Sequence, residues 1–277
     1  MDSERQGLCA QSVCVTAQGG SLLRNIDLQL PPGQVGAILG PNGAGKSTLL
    51  GILAGLIAPQ HGRVMLDGQP IGPAQMPVLA RRRAVLPQET QVAFDFSVRE
   101  VVKLGRYPHR LQPSQHETKI LSAAMTLTDV LHLADRPMAW LSGGERLRVQ
   151  LARVLAQIWE PVPHDASRWL LLDEPTAALD LYHQHSVLGT VREWAHSQGV
   201  GVLMVLHDLN LALRYADQAW VLQQGRLVAH GATLEALNVQ TLQTTWCVRS
   251  TPVQDIDSCP QILTAVMSTP IAAPNLP

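Results

Sequence analysis

A nine-residue glycine-rich stretch, GPNGAGKST at positions 40–48, limits this chain to a small set of folds. It follows the apolar run VGAIL at 35–39 and opens a segment that reads as a helix from Lys46. The stretch fits the pattern G-x-x-x-x-G-K-[ST], in which glycines let backbone N–H groups turn inward around phosphate oxygens. The positive end of the following helix favours the same anion. A strand, a phosphate loop and a helix in this order predict an α/β nucleotide-binding core.

The loop also predicts which residues hold the nucleotide. Lys46 is expected to reach the β- and γ-phosphates, and the Ser47 hydroxyl is expected to bind Mg²⁺. The predicted nucleotide-binding residues are Gly40, Pro41, Asn42, Gly43, Ala44, Gly45, Lys46, Ser47 and Thr48.

Other apolar runs predict the rest of the sheet. WLLL at 169–172 and VGVLMVL at 200–206 are continuously apolar, which is typical of parallel strands buried on both faces. Asp67-Gly68 lies between apolar stretches and predicts a hairpin, as does the pattern at 219–231. We therefore predict a P-loop NTPase fold of the α/β class, with a mostly parallel central sheet and an antiparallel β subdomain.

A stretch with helical patterns interrupts these strand signals. SVREVVKLGRY and ETKILSAAMTLTDVLHLADR are separated by the proline-bearing YPHRLQPSQ. We predict that residues 89–145 form an inserted helical subdomain and that 1–88 with 146–250 form the nucleotide-binding core. Residues 251–277 form a C-terminal tail, for which one or two strands, such as QILTAV, and loose order are both open.

Composition argues against several classes of function. The chain has 277 residues and a formal net charge of −1, so no basic excess indicates nucleic acid as a partner. No apolar run approaches the ~18 residues that span a bilayer, and the start of the chain lacks the apolar core of a secretory signal. Any membrane-spanning part is therefore expected in another chain. The four cysteines show no CxxC spacing, which favours reduced thiols.

Polar side chains follow two of the predicted strands, and another lies where the predicted helical insertion leaves the core. LLLDEP ends with Asp173 and Glu174, and His207 follows the next strand. Because ligands of open α/β sheets bind at the carboxyl ends of strands, we predict that Asp173 holds Mg²⁺ through water and that Glu174 polarises the attacking water. His207 is predicted to touch the γ-phosphate and to hold Glu174, and Gln88 in VLPQE to contact Mg²⁺ or the attacking water. Taken alone, the same residues also fit two capping acids and an ordinary strand-end histidine.

LSGGE at 141–145 is a second glycine-rich helix start, without a second phosphate loop. Ser142 and Glu145 have the spacing of a capping box, and Gly143 and Gly144 leave the N–H groups of the first turn uncovered. A plain capped helix and an anion-binding helix start both fit this pattern. The apolar stripe that follows consists of Leu147, Leu151, Val154, Leu155 and Ile158.

The ordered set GPNGAGKST, VLPQE, LSGGE, LLLDEP, AALD and LHD resembles the ATP-binding subunits of ABC transporters, from about residue 10 to 250. The resemblance implies ATP and Mg²⁺ as the bound groups and two copies packed head to tail as a C2 homodimer. In that arrangement the LSGGE helix of one copy caps the γ-phosphate held by the Lys46 loop of the other, and AALD crosses the interface. The residues implied to act in trans are Ser142, Gly143, Gly144 and Asp180.

Segments outside these motifs resemble importers of metal chelates, namely haem, ferric siderophores and cobalamin. AQIWEPVPHDASRWLLLDEP and the CVRSTPV and QILTAV parts of the tail resemble haemin importers in particular. The resemblance implies an ATPase at the cytoplasmic face of the bacterial inner membrane. It would bind two copies of a permease, move them through a groove near Gln88, and depend on a periplasmic haem-binding protein. Siderophore or cobalamin import is the alternative; a soluble ABC ATPase acting on DNA or ribosomes is disfavoured because sustained heptads and basic charge are missing.

The sequence departs from this family at the adenine site. Many of these ATPases stack the adenine on an aromatic residue upstream of the phosphate loop, at a place that falls near Ala17. No Phe, Tyr or Trp precedes Phe94. Because stacking on an aromatic side chain contributes about 1–3 kcal/mol per base, we predict looser ATP binding and weaker discrimination against GTP.

Overall fold

The structure is a computed structural model and describes residues 7–17, 20–72, 75–88, 96–162 and 166–266. Its strands are β1 (Leu8–Ala17), β2 (Gly20–Leu30), β3 (Val35–Leu39), β4 (His61–Leu66), β5 (Gln69–Pro70), β6 (Arg83–Leu86), β7 (Arg168–Asp173), β8 (Val200–Val205), β9 (Gln218–Gln223), β10 (Arg226–Ala232), β11 (Val248–Gln254) and β12 (Pro260–Val266). Its helices are α1 (Lys46–Leu53), α2 (Met76–Leu79), α3 (Val98–Leu104), α4 (Glu117–Leu127), α5 (Gly143–Gln157), α6 (Leu181–Gln198), α7 (Leu209–Tyr215), α8 (Thr233–Ala236) and α9 (Val239–Trp246). None of these helices has the length and hydropathy needed to span a membrane.

A six-stranded sheet with the order β10-β9-β3-β8-β7-β6 forms the centre of the molecule. Its strands pair in parallel except β10, which runs antiparallel at the β9 edge. β3, β7 and β8 are buried along their whole length apart from Asp173, which is half-buried at the end of β7. Burial on both faces explains why these strands lack polar alternation. The predicted α/β fold with a mostly parallel central sheet is confirmed.

The predicted hairpins are also present. Asp67 and Gly68 join β4 to β5 with φ of 49° and 74°, and Gln224 and Gly225 join β9 to β10 with φ of 49° and 74°. Positive φ at both central residues gives a turn whose twist matches the flanking strands. β4 and β5 belong to an antiparallel sheet of order β2-β1-β4-β5, the predicted β subdomain. The second turn supports the phosphate loop, because the N–H of Gly225 donates to the carbonyl of Ala44 at 3.1 Å.

α5 packs on two parts of the molecule. The predicted stripe, including Leu151 and Leu155, contacts the central sheet. A second face, with Val149 and Ala152, packs with α3 and α4 in a separate helical cluster. This second face was not predicted because it consists of small residues and one valine. α5 thus runs across the 145/146 boundary and links the core to the inserted helical subdomain; that division of the chain stays a proposal.

The C-terminal tail contains two strands, and β12 includes QILTAV, the stretch that the sequence analysis named as a possible strand. β11 and β12 form an antiparallel hairpin, and β11 begins before the predicted boundary at 250/251. The hairpin is attached to α7, because the N–H of Ile262 donates to Asn210 Oδ1 at 2.8 Å and the Asn210 amide donates to the Ile262 carbonyl at 3.3 Å. The remainder of the predicted tail, 267–277, lies outside the described residues.

Candidate nucleotide-binding site

The phosphate loop connects β3 to α1 through residues with left-handed backbone. φ is 147° at Gly40, 78° at Gly43 and 101° at Gly45. A Cβ at Gly40 would lie 2.1 Å from the carbonyl oxygen of Leu222, whereas a Cβ at Gly43 would meet nothing within 4 Å. Gly40 is therefore required for the loop to approach β9, and the space beside Gly43 is open to a ligand.

The side chain of Lys46 folds back onto the phosphate loop. Its Nζ donates to the carbonyl oxygens of Gly40 at 2.9 Å and Pro41 at 3.1 Å. Burial lowers the pKa of Lys46, while the nearby carboxylates of Glu174 and Asp173 act in the opposite direction. Because the two hydrogen-bond partners are neutral carbonyl groups, the ammonium charge stays available to phosphate oxygens.

Two oxygen donors meet beside the loop. The hydroxyl of Ser47, at the start of α1, donates to Asp173 Oδ1 at 3.2 Å. Burial raises the pKa of Asp173, and the hydrogen bond from Ser47 and the charge of Lys46 lower it in part. Hydroxyl and carboxylate oxygens are the donors that Mg²⁺ takes, and a cation at this place would favour the ionised carboxylate that burial disfavours.

Glu174 is bound from both sides by residues that follow the neighbouring strands. His207 Nε2 lies 2.6 Å from Glu174 Oε1, and the Gln88 amide donates to Glu174 Oε2 at 2.9 Å. β6 and β8 flank β7 in the sheet, so the residues just beyond their carboxyl ends converge. The backbone of Glu174 has a φ of 52°, a left-handed conformation that is uncommon for a non-glycine residue and frequent at functional sites. The structure thus brings together three predicted site residues, including the expected pair of His207 and Glu174, and it adds the contact between Gln88 and Glu174.

The glycine-rich start of α5 adjoins the loop that follows Glu174. Ser142 Oγ accepts from the N–H of Glu145 at 3.3 Å, and Glu145 Oε2 accepts from the N–H of Ser142 at 2.7 Å. The Ser142 hydroxyl also donates to Glu145 Oε2 at 2.8 Å, and the two hydrogen bonds that this carboxylate accepts from Ser142 hold the pKa of Glu145 below its usual range. A Cβ at Gly144 would lie 3.3 Å from the Ala178 carbonyl oxygen. The predicted capping box is therefore present, and it fixes the start of α5 next to AALD.

Asp180 caps α6 at the end of AALD. It accepts from the N–H of His183 at 2.9 Å and lies 2.8 Å from His183 Nδ1, and these hydrogen bonds lower the pKa of Asp180. The Gln184 amide donates to the carbonyl oxygens of Thr176 at 3.3 Å and Leu179 at 3.0 Å. Gln184 therefore orders the loop between Glu174 and Asp180. No pattern in the sequence predicts this role of Gln184, because a glutamine in the first turns of a helix is a common surface residue.

A groove of about 1020 Å³ lies away from these residues, between α2 and the turn that follows α3. Three of its apolar side chains are largely exposed: Val78 by 61%, Tyr107 by 63% and Leu111 by 85%. Together they form an exposed apolar patch, a feature that marks interaction sites. The groove that the family resemblance implies near Gln88 stays a prediction, because residues 89–95, which follow Gln88, lie outside the described ranges.

Comparison with known proteins decides the family. The sequence profile described as "ABC transporter" matches residues 23–177, more than half of the chain. The chain belongs to the ABC transporter family. As an ATP-binding subunit of this family it is an ATPase, and the predicted resemblance is confirmed.

Three curated relatives have the same name. The Hemin import ATP-binding protein HmuV of Escherichia coli O157:H7 is 44% identical over 235 residues, which cover 85% of this chain and 90% of that protein. Proteins of the same name are 49% identical over 240 residues in Gloeobacter violaceus, covering 86% of each chain, and 50% identical over 222 residues in Pseudomonas putida, covering 80% and 85%.

Solved structures share the fold. An ABC transporter in an inward-facing conformation matches with a TM-score of 0.78 and 26% identity, covering 94% of this chain and 98% of the other. A dimeric bacterial ABC transporter cassette matches with a TM-score of 0.72 and 25% identity, covering 82% of this chain and 99% of the other. The P-loop NTPase fold predicted from the sequence is therefore that of ABC cassettes.

Proposed function

We propose that this ATPase powers the import of haemin through a separate membrane permease. The observation that carries the proposal is the 44–50% identity, over at least 80% of the chain, to three proteins named for hemin import. Identity on this scale extends well beyond the short nucleotide-binding motifs. It includes segments that do not touch the nucleotide site and that would distinguish one transport system from another.

The nucleotide site supports hydrolysis by a positioned base. The ammonium of Lys46 and the open N–H groups of the loop would bind the β- and γ-phosphates. Glu174 would accept a hydrogen bond, and then the proton, from the water whose oxygen attacks the γ-phosphorus, while the bond to the β–γ bridging oxygen breaks. His207 and Gln88 hold the Glu174 carboxylate in one orientation from either side. The products are ADP and inorganic phosphate.

Mg²⁺ fits the oxygen donors beside the loop. The Ser47 hydroxyl and the Asp173 carboxylate are within hydrogen-bonding distance, and the Gln88 side chain lies next to Glu174. We assign these three residues to the metal. When bound, the ion neutralises the charge of the β- and γ-phosphates.

The complete catalytic site is proposed to form between two copies of the chain. Each copy has one phosphate loop and one glycine-rich start of α5, and a twofold axis would pair each loop with the start of α5 carrying Ser142 from the partner. Leu181 and Tyr182 directly follow Asp180 and are each 75% exposed. A second copy at this face would cover that apolar surface.

The permease is proposed to dock in the apolar groove lined by Val78, Tyr107 and Leu111. One groove on each copy of a homodimer accommodates two copies of a permease. The chain would then sit at the cytoplasmic face of the bacterial inner membrane as a peripheral subunit. A periplasmic haem-binding protein would deliver the haem, which need not touch this chain.

ATPase stimulation in proteoliposomes tests the proposed substrate. The chain is reconstituted with the permease of a haemin importer, and its periplasmic binding protein is supplied with haemin, a ferric siderophore or cobalamin. We expect stimulation by haemin alone, and no stimulation when Glu174→Gln replaces the wild-type chain. Stimulation by the siderophore or cobalamin instead of haemin would reassign the substrate while leaving the ATPase assignment intact.

A further inference from the structure

The segment that joins α5 to β7, residues 158–167, contributes to the docking groove. Of this connecting segment the structure describes 158–162 and 166–167. Val162 and Ala166 line the groove together with Val78 of α2 and with Tyr107. The groove therefore has three walls: α2 with the turn after it, the turn after α3, and the connecting segment.

A charged network fixes the start of the connecting segment to the helical subdomain. Glu160 Oε2 lies 2.9 Å from Arg106 Nη2, and the hydroxyl of Ser114 donates to Glu160 Oε1 at 2.6 Å. Arg106 is buried, donates to the Ala156 carbonyl at 2.8 Å and also pairs with Glu117 at 2.9 Å. Both carboxylates depend on the same buried guanidinium, and its loss would leave two partly buried carboxylates without their partner, so the network holds the two glutamates in fixed positions.

Another set of hydrogen bonds fixes both ends of the connecting segment to the core. Arg168 Nη1 donates to the carbonyl oxygens of Ile158 at 2.9 Å and Trp159 at 2.6 Å. The hydroxyl of Ser167 donates to Asp67 Oδ1 at 2.7 Å, and its N–H donates to Asp67 Oδ2 at 3.1 Å. Val162 follows the anchored Trp159 by three residues and Ala166 directly precedes Ser167, so both groove-lining residues lie close in sequence to these anchors.

The side chains that line the groove indicate what kind of partner would bind there. Its apolar members Val78, Tyr107 and Leu111 are largely exposed, and Arg81 and Arg110 lie among them. The Arg110 guanidinium carbon lies 4.1 Å from the centre of the Tyr107 ring, so an aromatic face and a positive charge are presented together. An amphipathic helix with an apolar face and a carboxylate at its edge matches this surface.

We propose that Val162 and Ala166, the residues of the connecting segment that line the docking groove, select the permease. The proposal rests on the proposed function, and it commits to a cytoplasmic amphipathic helix of the haemin permease as the occupant. Because Val162 and Ala166 shape one wall, a permease with a different helix profile would fit poorly against it.

Val162→Asp tests the proposal directly. The carboxylate would replace an apolar contact of the wall, and it would compete with the carboxylate of the docking helix for Arg81 and Arg110. We therefore expect affinity for the permease in detergent to fall about tenfold or more. Haemin-stimulated ATPase activity should fall with it, whereas the basal activity of the free subunit should stay at the wild-type level. Val228→Asp is the matched control, because Val228 is an exposed valine on β10, outside the residues that line the groove, and should behave as wild type.

Val78→Asp, on the opposite wall, shows whether the groove binds the permease independently of the connecting segment. If Val78→Asp blocks assembly while Val162→Asp assembles normally, the permease uses the groove without the connecting segment and the proposal is overturned. If the wild-type chain shows no haemin stimulation with this permease, the proposed function itself fails. Thermal unfolding checks the fold of each variant, and Ala166→Asp replaces Val162→Asp in the same assay if the latter is destabilised.

Discussion

Glu174 shows how one carboxylate can be oriented while both of its oxygens remain acceptors. His207 binds one oxygen and the Gln88 amide binds the other. Replacing Glu174 with Gln keeps the shape and removes the base. We expect Glu174→Gln to bind ATP as tightly as wild type and to hydrolyse it about 10²–10⁴-fold more slowly. Single-turnover hydrolysis and equilibrium ATP binding measure the two effects separately.

The control for this variant is Glu193→Gln, which changes an exposed glutamate on α6. It should leave both binding and hydrolysis at the wild-type level. Hydrolysis by Glu174→Gln within a few-fold of the control would remove Glu174 from the role of general base.

Ala17 is the residue at which the chain departs from its family. It ends β1, its side chain is not among those described, and residues 18–19 lie outside the described ranges. We expect Ala17→Tyr to tighten ATP binding, because stacking contributes about 1–3 kcal/mol, or roughly 5–150-fold. The preference for ATP over GTP should rise with it. Titration with each nucleotide measures both quantities.

Ala17→Leu supplies apolar bulk without an aromatic face and is the matched comparison for Ala17→Tyr. It should change ATP affinity much less. Equal ATP affinity in the wild type and both variants would mean that no ring is needed at this place.

At the scale of elements, two helices begin with the same capping motif but have different roles. α3 starts with Ser97 and Glu100 in a capping box, and α5 starts with Ser142 and Glu145 in another. Glu100→Ala and Glu145→Ala should each lower the free energy of unfolding by about 0.3–1.5 kcal/mol. Only Glu145→Ala should also reduce ATPase activity, because it loosens the start of α5 that carries Ser142. Denaturant unfolding and steady-state hydrolysis compare the pair.

One result of this experiment would contradict a catalytic role for the start of α5. If both variants lose the same stability and neither loses activity, the start of α5 is an ordinary capped helix and takes no part in catalysis. The sequence alone left this alternative open.

Local elements were predictable because their signals lie within a few residues. The phosphate loop and the turn at Asp67 each depend on adjacent residues with defined backbone requirements. The second apolar face of α5, with Val149 and Ala152, depends on α3 and α4 and was missed. The network of Arg106 was missed for the same reason, since its carboxylate partners Glu117 and Glu160 lie 11 and 54 residues away along the chain.

At the scale of the whole molecule, the site depends on the order of strands in the sheet. Gln88 and Glu174 are 86 residues apart, and Glu174 and His207 are 33 apart. They meet because β6, β7 and β8 are neighbours. The sequence predicts strands directly before Glu174 and His207 and places Gln88 where the helical insertion leaves the core, but it contains no local information on which strands are adjacent. The family resemblance supplied the grouping of these residues, and the structure supplies its geometry.

The proposed dimer is tested by mixing two inactive variants. Lys46→Ala should lose nucleotide binding, since the ammonium that meets the phosphates is removed, and Ser142→Ala should bind nucleotide but fail to complete the partner's site. In a mixed dimer one site carries both defects and the other carries neither. If the two sites act independently, the mixture should recover roughly a quarter of wild-type ATPase activity, because half of the dimers are mixed and each has one intact site. If the mixture is no more active than either variant alone, the model of two independent sites, each built from both copies, is contradicted. If Ser142→Ala alone is fully active, the entire site lies within one copy.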